Sequence, residues 1–160
     1  FIPLFADLKK QAILGYEQHG ISPDAELEQA NQSLIPADFG FHNSLRDEKG
    51  KLHFFDFDYF GWDDPVKLLA DILWHPKMSL DSTQQKQFIN GIAHVYAHDK
   101  LFLTRFDYTF PLYGLRWALI LLNEFIPAFW QNRQHAEVHV DFTSAKSKQL
   151  KLATALIMKM

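Results

Sequence analysis

Apolar positions along this chain of 160 residues recur mostly at helical spacing, and one window has a different pattern. Leu4, Leu8, Ala12 and Tyr16 follow one another at intervals of one helical turn, which predicts a first amphipathic helix that ends near Gly20. Further helices are predicted over residues 24–32, 81–98, 111–130 with a kink at Pro127, and 144–159.

The window from Leu34 to Gly61 has the only β-like pattern in the sequence. The segments NSLR and LHFFDFD flank the polar stretch DEKGK, where Gly50 suits a turn, and together they predict a β-hairpin. After this hairpin, Asp64 and Pro65 have the residue types of a helix N-cap and of a first helical position. They predict a helix that ends before Pro76.

Composition narrows the classes of protein to which the chain can belong. A length of 160 residues suits a single domain, so residues 1–160 are expected to form one mostly helical α+β domain. Cysteine is absent, which excludes thiolate zinc sites and disulfides and predicts a cytoplasmic location. With a formal net charge of -3 and no long basic run, a nucleic-acid partner is not expected. The apolar segment 111–130 contains Arg116 and Glu124, so it predicts a core helix and no membrane partner.

The polar side chains of the β-like window have the types that phosphoryl transfer needs. Asp38 and Asn43 have the spacing D-x-x-x-x-N within PADFGFHN, and the stretch FFDFD supplies Asp56. Transfer from ATP requires a carboxylate near the acceptor hydroxyl and hard oxygen ligands for Mg²⁺. A tight loop can hold Asp38 and Asn43 on one side, and the hairpin would return the chain to them with Asp56. Because Asp56 lies in a nearly all-apolar predicted strand, where an unpaired carboxylate is costly to bury, metal ligation is the simplest explanation.

These residues resemble the aminoglycoside phosphotransferase and choline kinase family, which has the protein-kinase-like fold. The family's catalytic loop has the pattern H-x-D-x-x-x-x-N, and its metal motif is an apolar strand that ends in Asp and precedes an Asp-Asp-Pro stretch. The chain matches with Asp38, Asn43, Asp56 and the run GWDDP. The resemblance implies that Asp38 accepts or orients the hydroxyl proton and that Asn43 and Asp56 bind the Mg²⁺ of Mg²⁺-ATP. The letters DFG at residues 38–40 then do not mark the kinase metal loop, whose aspartate corresponds to Asp56.

The chain departs from the family pattern in three places. Pro36 stands where the catalytic loop usually has its His, and Leu68 stands where an Asp usually follows, so that Asp71 is a candidate for that structural role. No glycine-rich loop and no strand lysine precede Asp38. The resemblance therefore implies a C-terminal lobe without the N-terminal lobe that clamps ATP. Such a fragment is expected to be inactive alone and to self-associate through its exposed cleft.

The reaction implied by the resemblance is transfer of the γ-phosphoryl group of ATP to a small-molecule hydroxyl. Aminoglycosides, amino alcohols and sugars all remain open as acceptors. Two alternatives also stay open. One is a non-catalytic binding module or pseudokinase fragment. The other is a phosphatase of the haloacid dehalogenase type, in which Asp56 of the D-x-D pattern would be the nucleophile, although the residues after Asp58 have helical patterns where that fold needs parallel strands.

Two side chains of the window are candidates for supporting roles. Asp58 would share a strand face with Asp56, because side chains alternate with a period of two, and would either assist metal or acceptor binding or make a structural hydrogen bond. His42 would either orient Asp38 or pack against the loop.

The remaining histidines and aromatic residues give no firm site. His94 and His98, like His135 and His139, have an i, i+4 spacing, but no third ligand is evident and zinc is not expected. The aromatic residues near the metal strand are expected to be mostly core, with one or two available to a cationic acceptor. They are Tyr59, Phe60, Trp62 and Trp74.

Overall fold

A computed structural model of the chain describes residues 1–58, 60–130 and 141–160. These residues are mostly helical and include two small antiparallel sheets, which confirms the predicted α+β class. They fall into two compact units, Phe1–Phe110 and Pro111–Met160, which are described separately. Among the described residues, no helix has both the length and the apolar character needed to cross a bilayer.

The first helix, α1 (Ile2–Gln18), forms where the apolar spacing predicts it, and Gly20 follows with a positive φ of 70°. Its buried positions lie one turn apart and are Leu8, Ala12 and Gly15. The absence of a side chain at Gly15 allows the Tyr108 ring to pack directly on the helix backbone. The short helix predicted over residues 24–32 is reduced to one 3₁₀ turn, Gln29–Asn31.

The predicted hairpin is present. Strand β2 (Ser44–Arg46) pairs antiparallel with β3 (Leu52–Phe54), and Gly50 has the positive φ of 83° that its turn requires. The Asp47 carboxylate fixes this turn by accepting the backbone N–H of Lys51 at 2.8 Å.

A second sheet joins the two ends of the window, and no sequence pattern predicts it. Strand β1 (Ser33–Ile35) pairs antiparallel with β4 (Gly61–Asp63), so the hairpin is not the only β-structure. Leu34 and Trp62 are opposite each other, and both are exposed. Strands of three residues with exposed apolar side chains lack the alternation that identifies a strand in a sequence. This pairing closes the segment 36–60, which carries the candidate residues.

Two helices follow the sheets. Helix α2 (Pro65–Trp74) begins at the predicted residue, because the Asp64 carboxylate accepts the backbone N–H two residues later at 2.9 Å. Helix α3 (Ser82–Val95) begins with a capping box between Asp81 and Gln84. Most residues of α2 are buried, so this helix forms a large part of the core of the first unit.

Helix α4 (Phe102–Leu121) differs from the helix predicted to begin at Pro111, which instead lies inside it. Phe102, Arg105 and Phe106 are buried and recur at helical spacing on one face. Burial of this face outweighs the cost of about 3 kcal/mol that an interior proline imposes on a helix. The part of α4 up to Phe110 therefore belongs to the first unit.

In the second unit, a 3₁₀ turn, Leu122–Phe125, follows α4. Helix α5 (Phe142–Ile157) confirms the helix predicted over residues 144–159, and Asp141 caps its first turn. Gln149 Nε2 donates to Glu124 Oε1 at 2.8 Å, which ties α5 to the 3₁₀ turn.

Candidate functional site

The loop after β1 brings Asp38 and Asn43 into direct contact. Asn43 Nδ2 donates to the Asp38 backbone carbonyl at 2.8 Å and lies 3.4 Å from the Asp38 carboxylate Oδ2. The backbone also turns here, because the Asn43 N–H donates to the Gly40 carbonyl at 3.0 Å. The spacing D-x-x-x-x-N therefore forms a closed loop with both side chains on one side, as the sequence predicts.

Asp56 follows the hairpin and lies next to this loop along the backbone. The Phe55 N–H donates to the Asn43 carbonyl at 3.0 Å, so the chain just before Asp56 runs beside Asn43. Asp56 has a positive φ of 62°, a conformation that residues with a Cβ atom adopt infrequently. Its side chain is exposed and β3 ends at Phe54, so the prediction of a buried carboxylate at the end of an apolar strand is wrong.

Asp58 does not share a strand face with Asp56, because both lie beyond the end of β3. Asp58 is exposed, and so are its neighbours Phe55 and Phe57. The apolar run that predicts a buried strand is thus a surface segment, and the alternation argument for Asp58 fails.

A histidine from outside the window completes the surroundings of Asp38. His75 is the C-cap residue of α2 and is 8% exposed. Its Nε2 lies 3.6 Å from Asp38 Oδ1, and His42 Nε2 lies 3.1 Å from the same oxygen. The two imidazole rings are stacked with centroids 4.2 Å apart. His42 thus contacts Asp38, while the role of His75 has no local sequence signal because the residue comes from the far end of a helix.

The charge state of His75 follows from its burial. Burial lowers the pKa of its imidazole from 6.5 to about 4; His42 and Lys77 act in the same direction, and Asp38 acts against them. The backbone N–H of Lys77 donates to His75 Nδ1 at 3.0 Å, which also favours the neutral ring. His75 is therefore uncharged at neutral pH.

Asp38, His42 and His75 offer three potential metal-ligand atoms within 4.8 Å of one another. One carboxylate and two imidazoles are ligand types found at zinc and iron sites. However, the Lys77 N–H occupies the lone pair of His75 Nδ1, so the proton of the neutral ring is on Nε2. This is the atom that a metal would have to bind. The arrangement therefore favours hydrogen bonding to Asp38 over metal ligation.

The residues expected to bind Mg²⁺ have suitable donor atoms. The Nδ2 atom of Asn43 is directed at Asp38, which leaves Oδ1 as the atom that Asn43 can offer to a cation. The Asp56 carboxylate is exposed and adds hard oxygen donors. An amide oxygen and a carboxylate match the preference of Mg²⁺, so these two residues fit the ion in donor chemistry.

A mostly apolar cleft of about 400 Å³ borders the loop that carries Asp38. The side chains of Gln84 and Gln87 contribute polar groups, and no charged residue lines the cleft within the described part of the chain. Its main apolar side chains are Phe39, Phe41, Phe54, Met78, Leu80 and Phe88. Such a lining can hold an uncharged apolar group, but it provides no carboxylate for a polycation.

The GWDDP stretch contributes to a buried ion cluster. Arg105, which is 6% exposed, donates to Asp64 Oδ2 at 2.7 Å and to Asp99 Oδ2 at 2.7 Å. Burial alone would lower the pKa of the guanidinium, but the hydrogen bonds to the two carboxylates outweigh it and raise that pKa. Likewise, burial raises the pKa of Asp99, yet its bonds to Arg105 leave it below its usual value. The cluster stabilises the start of α2, which leads to His75.

The other sequence candidates have separate outcomes. Asp71, the candidate for the acidic role missing at Leu68, is buried and pairs with Lys67 Nζ at 3.1 Å.

His94 and His98 do not share a helix, because α3 ends at Val95. His135 and His139 lie outside the described residues, as does Tyr59. Trp74 is buried, whereas Phe60 and Trp62 are exposed, which is within the one or two of these aromatic residues that the sequence leaves available to an acceptor.

Comparisons of the chain with protein-family models, with curated proteins and with solved structures found no match. The likeness to the phosphotransferase family is thus a resemblance between short motifs.

Proposed function

We propose that this chain is part of an ATP-dependent phosphotransferase that acts on a hydroxyl group of a small molecule. Asp38 is the catalytic carboxylate in this proposal, and Asn43 and Asp56 bind Mg²⁺. The observation that carries it is the closed Asp38–Asn43 loop beside the end of the hairpin. Two hydrogen bonds define it, one from Asn43 Nδ2 to the Asp38 carbonyl and one from the Phe55 N–H to the Asn43 carbonyl.

This arrangement supplies the groups that phosphoryl transfer requires. The Asp38 side chain is 53% exposed, so an acceptor hydroxyl can reach it and transfer its proton there. Asn43 is fixed by its bond to the Asp38 backbone, which sets the position of its amide oxygen relative to the carboxylate. When bound, Mg²⁺ neutralises charge that develops on the phosphoryl group. The protein then contributes mainly positioning and electrostatic stabilisation.

We also propose that the chain has the fold of a protein-kinase-like C-terminal lobe. A hairpin followed by several helices is consistent with the C-terminal lobe of a protein-kinase-like phosphotransferase. A cytoplasmic location is proposed because the chain has no cysteine and ATP is its proposed cosubstrate.

The lining of the cleft beside the loop indicates which kind of acceptor alcohol can bind there. Phe39 directly follows Asp38, and both Phe39 and Phe41 line the cleft. The lining is apolar and uncharged, which favours an alcohol with an apolar or aromatic group over a polycationic aminoglycoside. Among the acceptors left open by the sequence, an uncharged alcohol thus fits this surface best.

The phosphatase alternative has little support in the geometry. Its D-x-D motif lies at the end of a strand within a parallel sheet, whereas every strand pair in the described ranges is antiparallel. A direct test is available with beryllium fluoride and Mg²⁺. A phosphatase would form a stable adduct on Asp56, and mass spectrometry of a kinase should detect none.

The decisive test of the phosphotransferase uses the natural full-length protein. Asp38→Asn should lower turnover by about 10²–10⁴ while nucleotide affinity stays unchanged, because only the proton acceptor is lost. Asp56→Asn should instead weaken binding of Mg²⁺-nucleotide, measured by calorimetry. Asp24→Asn, at an exposed loop aspartate, is the matched control and should behave as wild type. Normal turnover of Asp38→Asn would refute the proposal, and a wild-type protein that binds nucleotide without turnover would support the non-catalytic alternative.

A further inference from the structure

We propose that His75 is a positioning residue that holds the Asp38 carboxylate through its Nε2–H group. The end of α2 would then supply a second imidazole beside the catalytic aspartate, in addition to His42 of the loop. The kinetic part of this inference rests on the proposed function, whereas its structural part can be tested without any activity.

The hydrogen bond at the far side of the ring sets the tautomer of His75. A backbone N–H can only donate, and that of Lys77 donates to His75 Nδ1 at 3.0 Å. Nδ1 must therefore present its lone pair, so the single proton of the neutral ring is on Nε2. This N–H faces Asp38 Oδ1 at 3.6 Å. Such a separation is longer than a formed hydrogen bond, and catalytic contacts of this kind commonly shorten when substrate binds.

His75 has a fixed position from which to act. It is buried, and its own backbone N–H donates to the Asp71 carbonyl at 2.9 Å as the cap of α2. The start of the same helix is capped by Asp64, whose carboxylate accepts a hydrogen bond from Arg105 of the buried ion cluster. The exposed Asp38 side chain thus lies against His75, and the helix that ends at His75 is buried and held at both of its ends. Pro36, two residues before Asp38, has no group that could donate to the carboxylate.

His42 approaches the same carboxylate oxygen from the loop. Its Nε2 lies 3.1 Å from Asp38 Oδ1, and its Nδ1 is buried without a hydrogen-bond partner in the described structure. Because a carboxylate accepts, His42 also presents an N–H to Oδ1. Two imidazoles therefore approach one oxygen, while among the described residues Oδ2 has only the 3.4 Å contact with Asn43 Nδ2. The geometry assigns Oδ2 as the atom that receives the proton of the acceptor hydroxyl.

The structural part is tested on this chain by ¹⁵N NMR of the histidine side chains at neutral pH. His75 should be neutral with Nε2 protonated, and its signals should not change when Zn²⁺ is added. A ring protonated at Nδ1, or a shift of the His42 and His75 signals that saturates with stoichiometric Zn²⁺, would overturn the inference in favour of the other tautomer or of a metal site.

The kinetic part is tested in the natural full-length protein with two variants. His75→Leu removes the donor and should lower kcat about 10- to 100-fold with KM for nucleotide unchanged, because the carboxylate is misplaced. His75→Gln retains an amide N–H donor and should recover kcat to within a few-fold of wild type. In an Asp38→Asn background, His75→Leu should cause no further loss.

These outcomes separate the inference from the proposed function. If Asp38→Asn is inactive but His75→Leu, shown to be folded by circular dichroism, turns over normally, only the positioning role is refuted. An equal loss of kcat in the Leu and Gln variants would also refute it, since a structural role does not depend on the donor. If Asp38→Asn is fully active, the proposed function fails, and the NMR result alone then decides whether Nε2 of His75 carries the proton that faces Asp38. If His75→Leu does not fold, the Gln variant and the NMR spectra still decide.

Discussion

At the residue scale, Arg105 shows how this chain keeps a charge in its interior. Its guanidinium donates two hydrogen bonds to Asp64 and two to Asp99, so the buried charge is paired on both sides. Removing one member of such a cluster is costly, because the remaining charges stay buried without compensation.

We therefore expect Arg105→Met to lower the free energy of unfolding by about 3–5 kcal/mol. Arg46→Met, at an exposed position of β2, is the matched control and should change it by less than about 0.5 kcal/mol. Urea unfolding followed by far-ultraviolet circular dichroism measures both values. Similar small losses in the two variants would show that the cluster contributes little to stability.

His75 gives the chain a predictable response to acid. Its pKa is about 4 in the folded protein and near 6.5 when unfolded, so the unfolded state binds more protons between these values. The contribution of His75 to the free energy of unfolding is fully present above about pH 6.5. It decreases as the pH falls toward about 4, by at most roughly 3 kcal/mol.

The difference in unfolding free energy between pH 7 and pH 5 should accordingly be smaller in His75→Gln than in wild type, because glutamine does not titrate. His94→Gln, which removes an exposed histidine, should retain the wild-type difference. Urea titrations at the two pH values provide the measurement. If His75→Gln and His94→Gln behave alike, the depressed pKa of His75 is wrong.

At the element scale, local chemistry decides which parts of the fold the sequence predicts. The start of α2 follows from Asp64 and Pro65, and the hairpin turn follows from Gly50, because caps and turns depend on residues close in sequence. The β1–β4 pair and the start of α4 depend on distant partners. Burial of Arg105, for example, requires a hydrogen bond to Asp64, which lies outside α4. The pattern of apolar residues within α4 contains no information about this partner.

The same distinction applies to the candidate site. The contact of Asp38 with Asn43 forms within one loop, and the spacing D-x-x-x-x-N predicts it. The contact of Asp38 with His75 joins this loop to the end of a helix, so no local pattern encodes it. The exposure of Asp56 is misjudged for a physical reason, since apolar neighbours such as Phe55 indicate burial only when another element covers them.

Two helical glycines have opposite roles in packing. A Cβ atom at Gly15 of α1 would overlap the ring of Tyr108 from α4, whereas a Cβ atom at Gly91 of α3 would meet no atom within 4 Å. Gly15→Ala should therefore lower the free energy of unfolding by about 1–3 kcal/mol. Gly91→Ala should raise it by about 0.5–1 kcal/mol, because alanine restricts the unfolded chain.

Chemical denaturation of the two alanine variants gives the comparison directly, since the substitution is the same and both positions are helical. A stabilising Gly15→Ala would mean that the Tyr108 ring moves aside at little cost and that the close packing of α1 on α4 is not required.

At the scale of the whole molecule, exposed apolar side chains in the first unit predict association between copies. They lie in or beside the two sheets and include Leu34, Phe41, Leu45, Phe55, Phe57, Phe60 and Trp62. Leu34 and Trp62 are cross-strand partners, 53% and 63% exposed, so they present one apolar surface. Apolar surface of this kind favours contact with a second molecule. The net charge of -3 provides only weak repulsion against it.

We expect the 160-residue chain to sediment as a concentration-dependent mixture of monomer and oligomer in analytical ultracentrifugation. Trp62→Lys should shift it toward monomer, because a charge would then have to be buried at the interface on the exposed face of β4. Met158→Lys introduces the same charge at a residue of the second unit that is 83% exposed, and it should leave the distribution unchanged. A wild-type chain that stays monomeric at all concentrations, or an equal shift in both variants, would show that the sheet surface does not mediate association.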